Sequence, residues 1–357
     1  MLRFTEKGKQ SVGMKKVSII VPVYNAEKTL AGCLGNLVHQ TLADIEIIAI
    51  NDASTDGSLR ILQDCESQFP DKMILINAEQ NTGPGGARNI GLSYASGEYL
   101  GFVDADDLAD TRMYEKLYTA AIEGGYDMVD GGYLDALNDR AIVMTGDDCT
   151  GELDDRKRSK LIVGGGFLWS RLFKRSLFED PAPLRFREGV ILEDADVMTY
   201  LFAVTKSVGN VKEIIYHYRT FEDSASKLVE PAGYVHNITE AMQAVYDRTY
   251  ALPGYAGIRD AVEYEILQMY SWGINLCIKT KRNLCGKPAE DAFDPDRALR
   301  DLRHLKDRLV TRRKYNDNSF VREKIPKADL KIIEEVDGIP PVTDSGLAID
   351  RVKVLEM

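Results

Sequence analysis

The sequence predicts an α/β fold, with a mostly parallel central sheet and helices on both faces, followed by a mainly helical C-terminal region. Three observations predict it. Short apolar and β-branched runs alternate with helix-period segments from residue 17 to residue 103, the signature of parallel strands joined by helical crossovers. Polar, turn-rich residues follow three of those runs: Tyr24-Asn25, Asp52 to Asp56, and Asp104 to Asp107. From residue 232 onward only helical periods recur. In such sheets crossovers are right-handed and ligands bind at the carboxyl ends of the strands. The expected organisation is a polar, disordered extension over 1–14, a main domain over 15–230 whose halves are 15–110 and 111–230, and a helical region over 231–357.

Val17 to Val23 is dense in β-branched residues, and Pro22 marks the approach to the strand's exit. Leu30, Leu34, Leu37 and Val38 then recur at i, i+4, i+7 and i+8, one buried helical stripe. Ile45 to Ile50 is a second strand, and a helix carrying Leu59, Leu62, Cys65 and Phe69 follows it. Met73 to Ile76 is a third strand, after which Gly83, Gly85 and Gly86 turn into a helix bearing Ala87, Ile90 and Tyr94. Tyr99 to Val103 suits a strand covered on both faces, and it ends in Asp104, Asp106 and Asp107. Asp107 or Asp110, Asp107 foremost, is expected to cap a helix beginning near Thr111. Asp127 to Val129 is a further strand, and residues 135–165, polar and Gly-rich, read as a long connection. Glu193 and Asp194 open an apolar helix, and Val211 to Arg219 reads as a strand. Among the later helices, one carries Ile266, Tyr270, Ile274 and Cys277; another, with Leu299, Leu302, Leu305 and Leu309, is started by Asp294-Pro295.

A net charge of −11 and a sequence pI of 5.1 argue against binding nucleic acid through overall charge. Five scattered cysteines, never spaced Cys-x-x-Cys, indicate neither a zinc cluster nor a disulfide framework and fit a reducing, cytoplasmic compartment. Residues 1–14 lack the apolar stretch of a signal peptide. No run approaches the ~18 apolar residues of a membrane span. Basic residues crowd 297–314, from Arg297 to Lys314. They predict either peripheral contact with the inner face of a membrane or a solvated helix face interspersed with Asp301 and Asp307.

Each polar constellation carries two readings. The segment Asp52 to Gly57 is turn chemistry, or else Asp52 accepts hydrogen bonds from a nucleobase edge. The Gly83 to Asn89 stretch lacks the Lys-Ser/Thr of a phosphate-binding P-loop, and its Arg88 is either an ion partner for the strand-end acids or a contact to an anionic ligand. Three close carboxylates repel, so their cost is offset by a divalent cation, by basic partners or by solvation. Glu193-Asp194 is a helix start favoured by the macrodipole, or it supplies a general base. Tyr216 to Arg219, with Ser224 and Ser226, offers cationic and hydroxyl groups, and His217 reads as a packing residue. Four dispersed histidines exclude a multi-histidine metal site, and no Gly-x-Ser-x-Gly elbow is present. An acid-nucleophile phosphohydrolase would need its Asp-x-Asp after the first strand, where this chain has Pro22-Val23-Tyr24-Asn25.

Taken in order, Val17 to Asn25, Asn51 to Ser58, Asn81 to Gly91 and Phe102 to Asp107 resemble glycosyltransferase family 2 with its GT-A fold. The likeness is strongest over 15–110. It continues through Trp169 to Ser176, Glu193-Asp194 and Tyr218 to Ser226 in a way similar to bacterial polysaccharide-assembly members. The resemblance implies an inverting transfer of a sugar from a nucleoside diphosphate sugar, commonly a UDP-sugar, to a saccharide or lipid-linked acceptor in cell-surface polysaccharide synthesis. It implies that Pro22, Val23, Tyr24, Asn25 and Asp52 contact base and ribose, and Arg88 the nucleotide. Asp104 would meet the ribose, with Ala105 and Arg219 also in the donor site, and Asp106 would hold Mn²⁺ or Mg²⁺. Asp194 would be the general base, with Glu193 in reserve. Two departures stand out. The usual paired acids after the second strand are Asn51-Asp52, and the aromatic residue usual three positions after the base is Val197. The alternative is a catalytically silent nucleotide-sugar-binding module.

Overall fold

The computed structural model describes residues 15–220, 229–284, 293–311 and 315–338. Expectations placed on residues 1–14, Ser224, Ser226 and Arg312 to Lys314 lie outside these. The chain divides into two compact units. One takes the described residues through Glu152 together with Phe167–Gly189 and Thr205–Thr220; the other takes Leu153–Gly166, Val190–Val204 and the described residues from 229 on.

In the first unit the alternating runs become β1 (Val17–Val23), α1 (Leu30–Val38), β2 (Ile45–Asn51), α2 (Ser58–Gln68), β3 (Met73–Asn77), α3 (Gly83–Tyr94) and β4 (Tyr99–Phe102). The unit continues with β5 (Leu108–Ala109), α4 (Met113–Gly124), β6 (Met128–Asp135), β7 (Arg140–Ile142), β8 (Gly151–Glu152), β9 (Arg171–Lys174) and β10 (Ser207–Tyr218). The main sheet runs β3-β2-β1-β4-β9-β6-β10-β5, with β7 on β6 and β8 on β10. Val17 pairs with Ile45 on one side and Tyr99 on the other, so β1 is central, and β1 to β4 are mutually parallel as expected. Beyond β4 the sheet is mixed: β9 runs antiparallel to both β4 and β6, while β10 is parallel to β6.

The strands are apolar because helices cover both faces. Ile19, Ile20, Ile47 and Ile48 are each fully buried, and each such side chain contributes about 1.5–3 kcal/mol. The buried acid in β2, Glu46, is neutralised locally by three donors: Ser18 Oγ at 2.5 Å, Ser96 N at 2.7 Å and Ser96 Oγ at 2.9 Å. Helix α3 lies tightly on the sheet at Gly91, where a Cβ would stand 2.5 Å from Ile20 Cγ2. The same helix opens at Gly83 with φ +75, a conformation that favours glycine.

The second unit is helical: α5 (Asp155–Gly164), α6 (Ala195–Val204), α7 (Pro231–Tyr250), α8 (Tyr255–Leu284), α9 (Pro295–Leu309), α10 (Ser319–Lys324) and α11 (Lys327–Gly338). The stretch 135–165, expected to be a connection, holds β7, β8 and α5. Asp154 caps α5 by accepting from Lys157 N at 2.8 Å, and the helix buries only Ser159, Leu161 and Ile162, a stripe too narrow to show as a period. Asp294 caps α9 as expected, accepting from Asp296 N at 3.0 Å and Arg297 N at 3.1 Å.

Two of the basic residues on α9 turn inward. Lys306 is buried and donates to Tyr315 Oη at 2.8 Å and Asp337 Oδ2 at 2.7 Å. Arg303 Nη1 donates to the Val336 carbonyl at 3.4 Å. Among the described residues no helix is long and apolar enough to cross a membrane.

Candidate functional site

The turns after β1 and β2 are laced together by short polar side chains. Asn25 and Ala53 both have left-handed φ, at 49° and 58°. Asn25 Oδ1 accepts from Thr55 N at 2.8 Å, and Asn25 N–H donates to Ser54 Oγ at 3.1 Å. Asp56 accepts from Glu27 N at 3.0 Å, and Glu27 in return accepts from Gly57 N at 3.0 Å. Ser54, Thr55 and Asp56 thus hold the turns in shape, as turn chemistry suggests. Val23 is buried, Pro22 half-buried, and Tyr24 stands out at the tip, 51% exposed.

Asp52 is buried at the end of β2. Its Oδ1 accepts from Thr82 N at 2.9 Å and Thr82 Oγ1 at 3.0 Å, and its N–H donates to the Val23 carbonyl at 2.8 Å. One carboxylate oxygen is therefore committed to the residue that opens α3. Thr82 was missed in the sequence, although its place just before Gly83 is where a helix N-cap stands.

At the end of β4 the acids divide their partners. Arg88, on α3, donates from Nη2 to Asp104 Oδ1 at 2.8 Å and lies 5.6 Å from the centre of the Phe186 ring. Arg88 is thus an ion partner of one strand-end acid. Ala105 accepts through its carbonyl from Thr29 Oγ1 at 3.1 Å. Asp106 is partly exposed, and its carbonyl accepts from Arg219 Nε at 2.7 Å.

Asp107 is not a helix cap. It is buried, its Oδ2 accepts from Tyr216 Oη at 2.8 Å and its Oδ1 from Arg219 N at 2.7 Å. The reason is β5, which separates the acids from α4 and pairs Ala109 with Tyr216 on β10. α4 itself begins at Met113, and Asp110 Oδ1 serves that end by accepting from Arg112 N at 2.8 Å. Burial, followed by the charge of Asp104 and then Asp106, pushes the Asp107 carboxyl up to about 8 against the bonds from Arg219 and Tyr216. Burial likewise holds the Tyr216 phenol well above its ordinary range.

Among the described residues, no three His, Cys, Asp or Glu side chains converge as a metal cage. The oxygen donors present still suit a hard ion of the Mg²⁺ type, which takes one or two carboxylates and completes its shell with substrate phosphates and water. Asp106, partly exposed between the buried Ala105 and Asp107, adds a carboxylate to the same strand end.

Glu193 and Asp194 belong to the second unit. Glu193 is buried, and the Asp194 carbonyl accepts from Met198 N at 2.8 Å, which places Asp194 at the start of α6. Two residues on, Asp196 is fully buried and paired with Arg248 on α7. The sequence offered no sign of that pair, which joins residues 52 positions apart.

Residues 18–180 match the family described as Glycosyl transferase family 2. Over 328 residues the chain is 29% identical to the uncharacterized glycosyltransferase EpsJ of Bacillus subtilis, covering 89% of this chain and 91% of that protein. Residues 1–349 of TarS from S. aureus, crystallised with UDP, superpose with a TM-score of 0.62 at 18% identity, over 90% of each chain. A mannosyltransferase from Pyrobaculum calidifontis, in complex with GDP-Man and Mn²⁺, gives a TM-score of 0.53 at 16% identity, over 90% of this chain and 86% of that one. The stretch 18–180 thus belongs to glycosyltransferase family 2, and the chain, in which Asn25, Asp52 and the Asp104–Asp107 acids follow β1, β2 and β4, has the GT-A fold.

Proposed function

We propose that the protein transfers a sugar from a nucleoside diphosphate sugar, UDP-linked in the first instance, to a hydroxyl of a saccharide or lipid-linked acceptor, with inversion at the anomeric carbon. The observation that carries this reading is the set of acids at the end of β4, held beside Asp52 and Arg88 at the carboxyl edge of a parallel sheet. The TarS fragment bound to UDP and the mannosyltransferase bound to GDP-Man and Mn²⁺ share this fold, which supports a nucleotide donor.

In this reading Pro22 to Asn25 and Asp52 receive the base and ribose. Asp52 Oδ2 is free to accept from the base because Thr82 engages only Oδ1. Asp104 meets the ribose, and Arg88 keeps that carboxylate oriented while placing positive charge beside the nucleotide. Asp106 would hold Mn²⁺ or Mg²⁺, which supplies charge neutralisation for the departing diphosphate. Asp194 takes the proton of the acceptor hydroxyl, to which it must come within about 3 Å in the reactive complex. The acceptor oxygen bonds to the anomeric carbon as the bond from that carbon to the diphosphate oxygen breaks, and the nucleoside diphosphate leaves with the electron pair. The acceptor fits a surface polysaccharide under assembly, as the likeness over Trp169 to Ser176 suggests.

A panel of nucleotide sugars, assayed for nucleotide release with and without acceptor extract, tests the reading. Acceptor-dependent release that Asp194→Asn lowers by about 10²-fold or more is expected. Nucleotide binding without transfer would favour a silent binding module instead.

A further inference from the structure

The acceptor side of the same sheet edge carries a second feature. β9 is antiparallel to β4 and β6, so the residues preceding it, Phe167 and Trp169, arrive at the edge where β6 and β10 end in Tyr133, Tyr216 and Tyr218. The rings form a stack. Phe167 lies 4.7 Å from Trp169 with planes 7° apart, Trp169 lies 4.5 Å from Tyr216 at 13°, and Tyr218 lies 5.5 Å from Trp169 at 6°. Tyr133 closes the stack edge-on, 4.8 Å from Trp169 at 87°. Tyr216 ties the stack to the acids, since its hydroxyl donates to Asp107.

Within this stack Trp169 is 5% exposed and Phe167 is 39% exposed. The exposed ring is held by the backbone beneath it. The Phe167 carbonyl accepts from Arg171 Nη1 at 2.5 Å, and Arg171, fully buried, pairs through Nη2 with the fully buried Asp130 at 3.3 Å. Ser170 Oγ and Thr145 Oγ1 also donate to Asp130, at 3.2 and 2.7 Å.

A rigid, outward aromatic ring beside a polar, acidic edge suits one kind of occupant. The C–H face of a pyranose is apolar and weakly positive, and it complements the negative face of an aromatic ring, while its hydroxyls remain free for polar neighbours. An acyl chain or a protein partner would call for a contiguous apolar patch of several hundred Å², larger than a single ring that is 39% exposed. We propose that Phe167 is the platform on which a pyranose ring of the acceptor stacks, so that the protein recognises a saccharide rather than only the lipid of a lipid-linked acceptor. This rests on the glycosyltransferase reading and deepens it.

The test uses the chain's own fluorophore. Its two tryptophans are Trp169 and Trp272, so Trp272→Phe leaves Trp169 as the sole reporter beneath Phe167. With UDP and Mn²⁺ present, this protein is titrated with methyl β-glucoside, methyl β-galactoside, methyl β-N-acetylglucosaminide, cellobiose and lactose. A saturable change in Trp169 emission with at least one sugar is expected. Phe167→Ala should raise the half-saturating concentration about tenfold, and Phe167→Tyr should restore it. The rise in melting temperature caused by UDP should be the same in all three proteins, which also shows that they fold. Absence of any saturable response, or equal half-saturation in Phe167→Ala, would overturn the platform. Failure of UDP to stabilise the Trp272→Phe parent would count instead against the donor reading.

Discussion

The two halves of the sheet edge are built from different materials. On the β1–β2 side, short polar side chains hold the turns: Asn25 to Thr55, Glu27 to Asp56, Asp52 to Thr82. On the β9–β6–β10 side, stacked rings stand over a buried ion pair, Arg171–Asp130. The difference suits each half to the ligand proposed for it. Polar turns can exchange hydrogen bonds with a nucleotide's edge and phosphates, whereas a stack offers faces and specifies shape. Tyr216 links the stack to the acids after β4, its ring on Trp169 and its hydroxyl on Asp107.

Substitutions separate the two materials. The largest effect on the fold is expected at Asp130, because Asp130→Ala leaves the fully buried Arg171 without its carboxylate. Breaking such a pair costs about 3–5 kcal/mol. Urea unfolding should show this loss together with a shift in Trp169 emission. A loss below about 1 kcal/mol would mean that the stack does not depend on the pair. A smaller effect is expected for Tyr216→Phe, which keeps the ring but removes the donor to Asp107. A buried acceptor left short by one bond costs about 1–3 kcal/mol. Stability should fall by that amount with Trp169 emission unchanged; altered emission would show that the hydroxyl, not the ring, positions the stack.

The same contrast explains what was legible in the sequence. The β1–β4 alternation, the polar strand ends and the cap at Asp294 are written in neighbouring residues, and period and turn chemistry expose them. Asp107 misled for the opposite reason. An Asp ahead of a helix satisfies the local capping pattern, but its actual partners, Tyr216 and Arg219, lie 109 and 112 positions away, brought in by the two-residue strand β5. Helix α5 was hidden by its polar first turns. The aromatic stack draws on Tyr133, Phe167, Trp169, Tyr216 and Tyr218, which stand on two strands and the segment before a third. The pair Asp196–Arg248 was equally remote. Non-local partners leave no period in the sequence, and the β9–β6–β10 side of the sheet is made almost wholly of them.

The central claim is that the acids at the end of β4 hold the donor, with Asp106 on the metal side. It is tested most directly by the melting temperature of the wild-type protein and of Asp106→Asn with UDP, with and without Mn²⁺. Ligand bound to the folded state raises stability by RT ln(1 + [L]/Kd), about 2.7 kcal/mol at a hundredfold excess over Kd. Stabilisation by UDP that requires Mn²⁺ in the wild type and loses that requirement, along with most of its size, in Asp106→Asn is the predicted result. Equal, metal-dependent stabilisation of both proteins would contradict it.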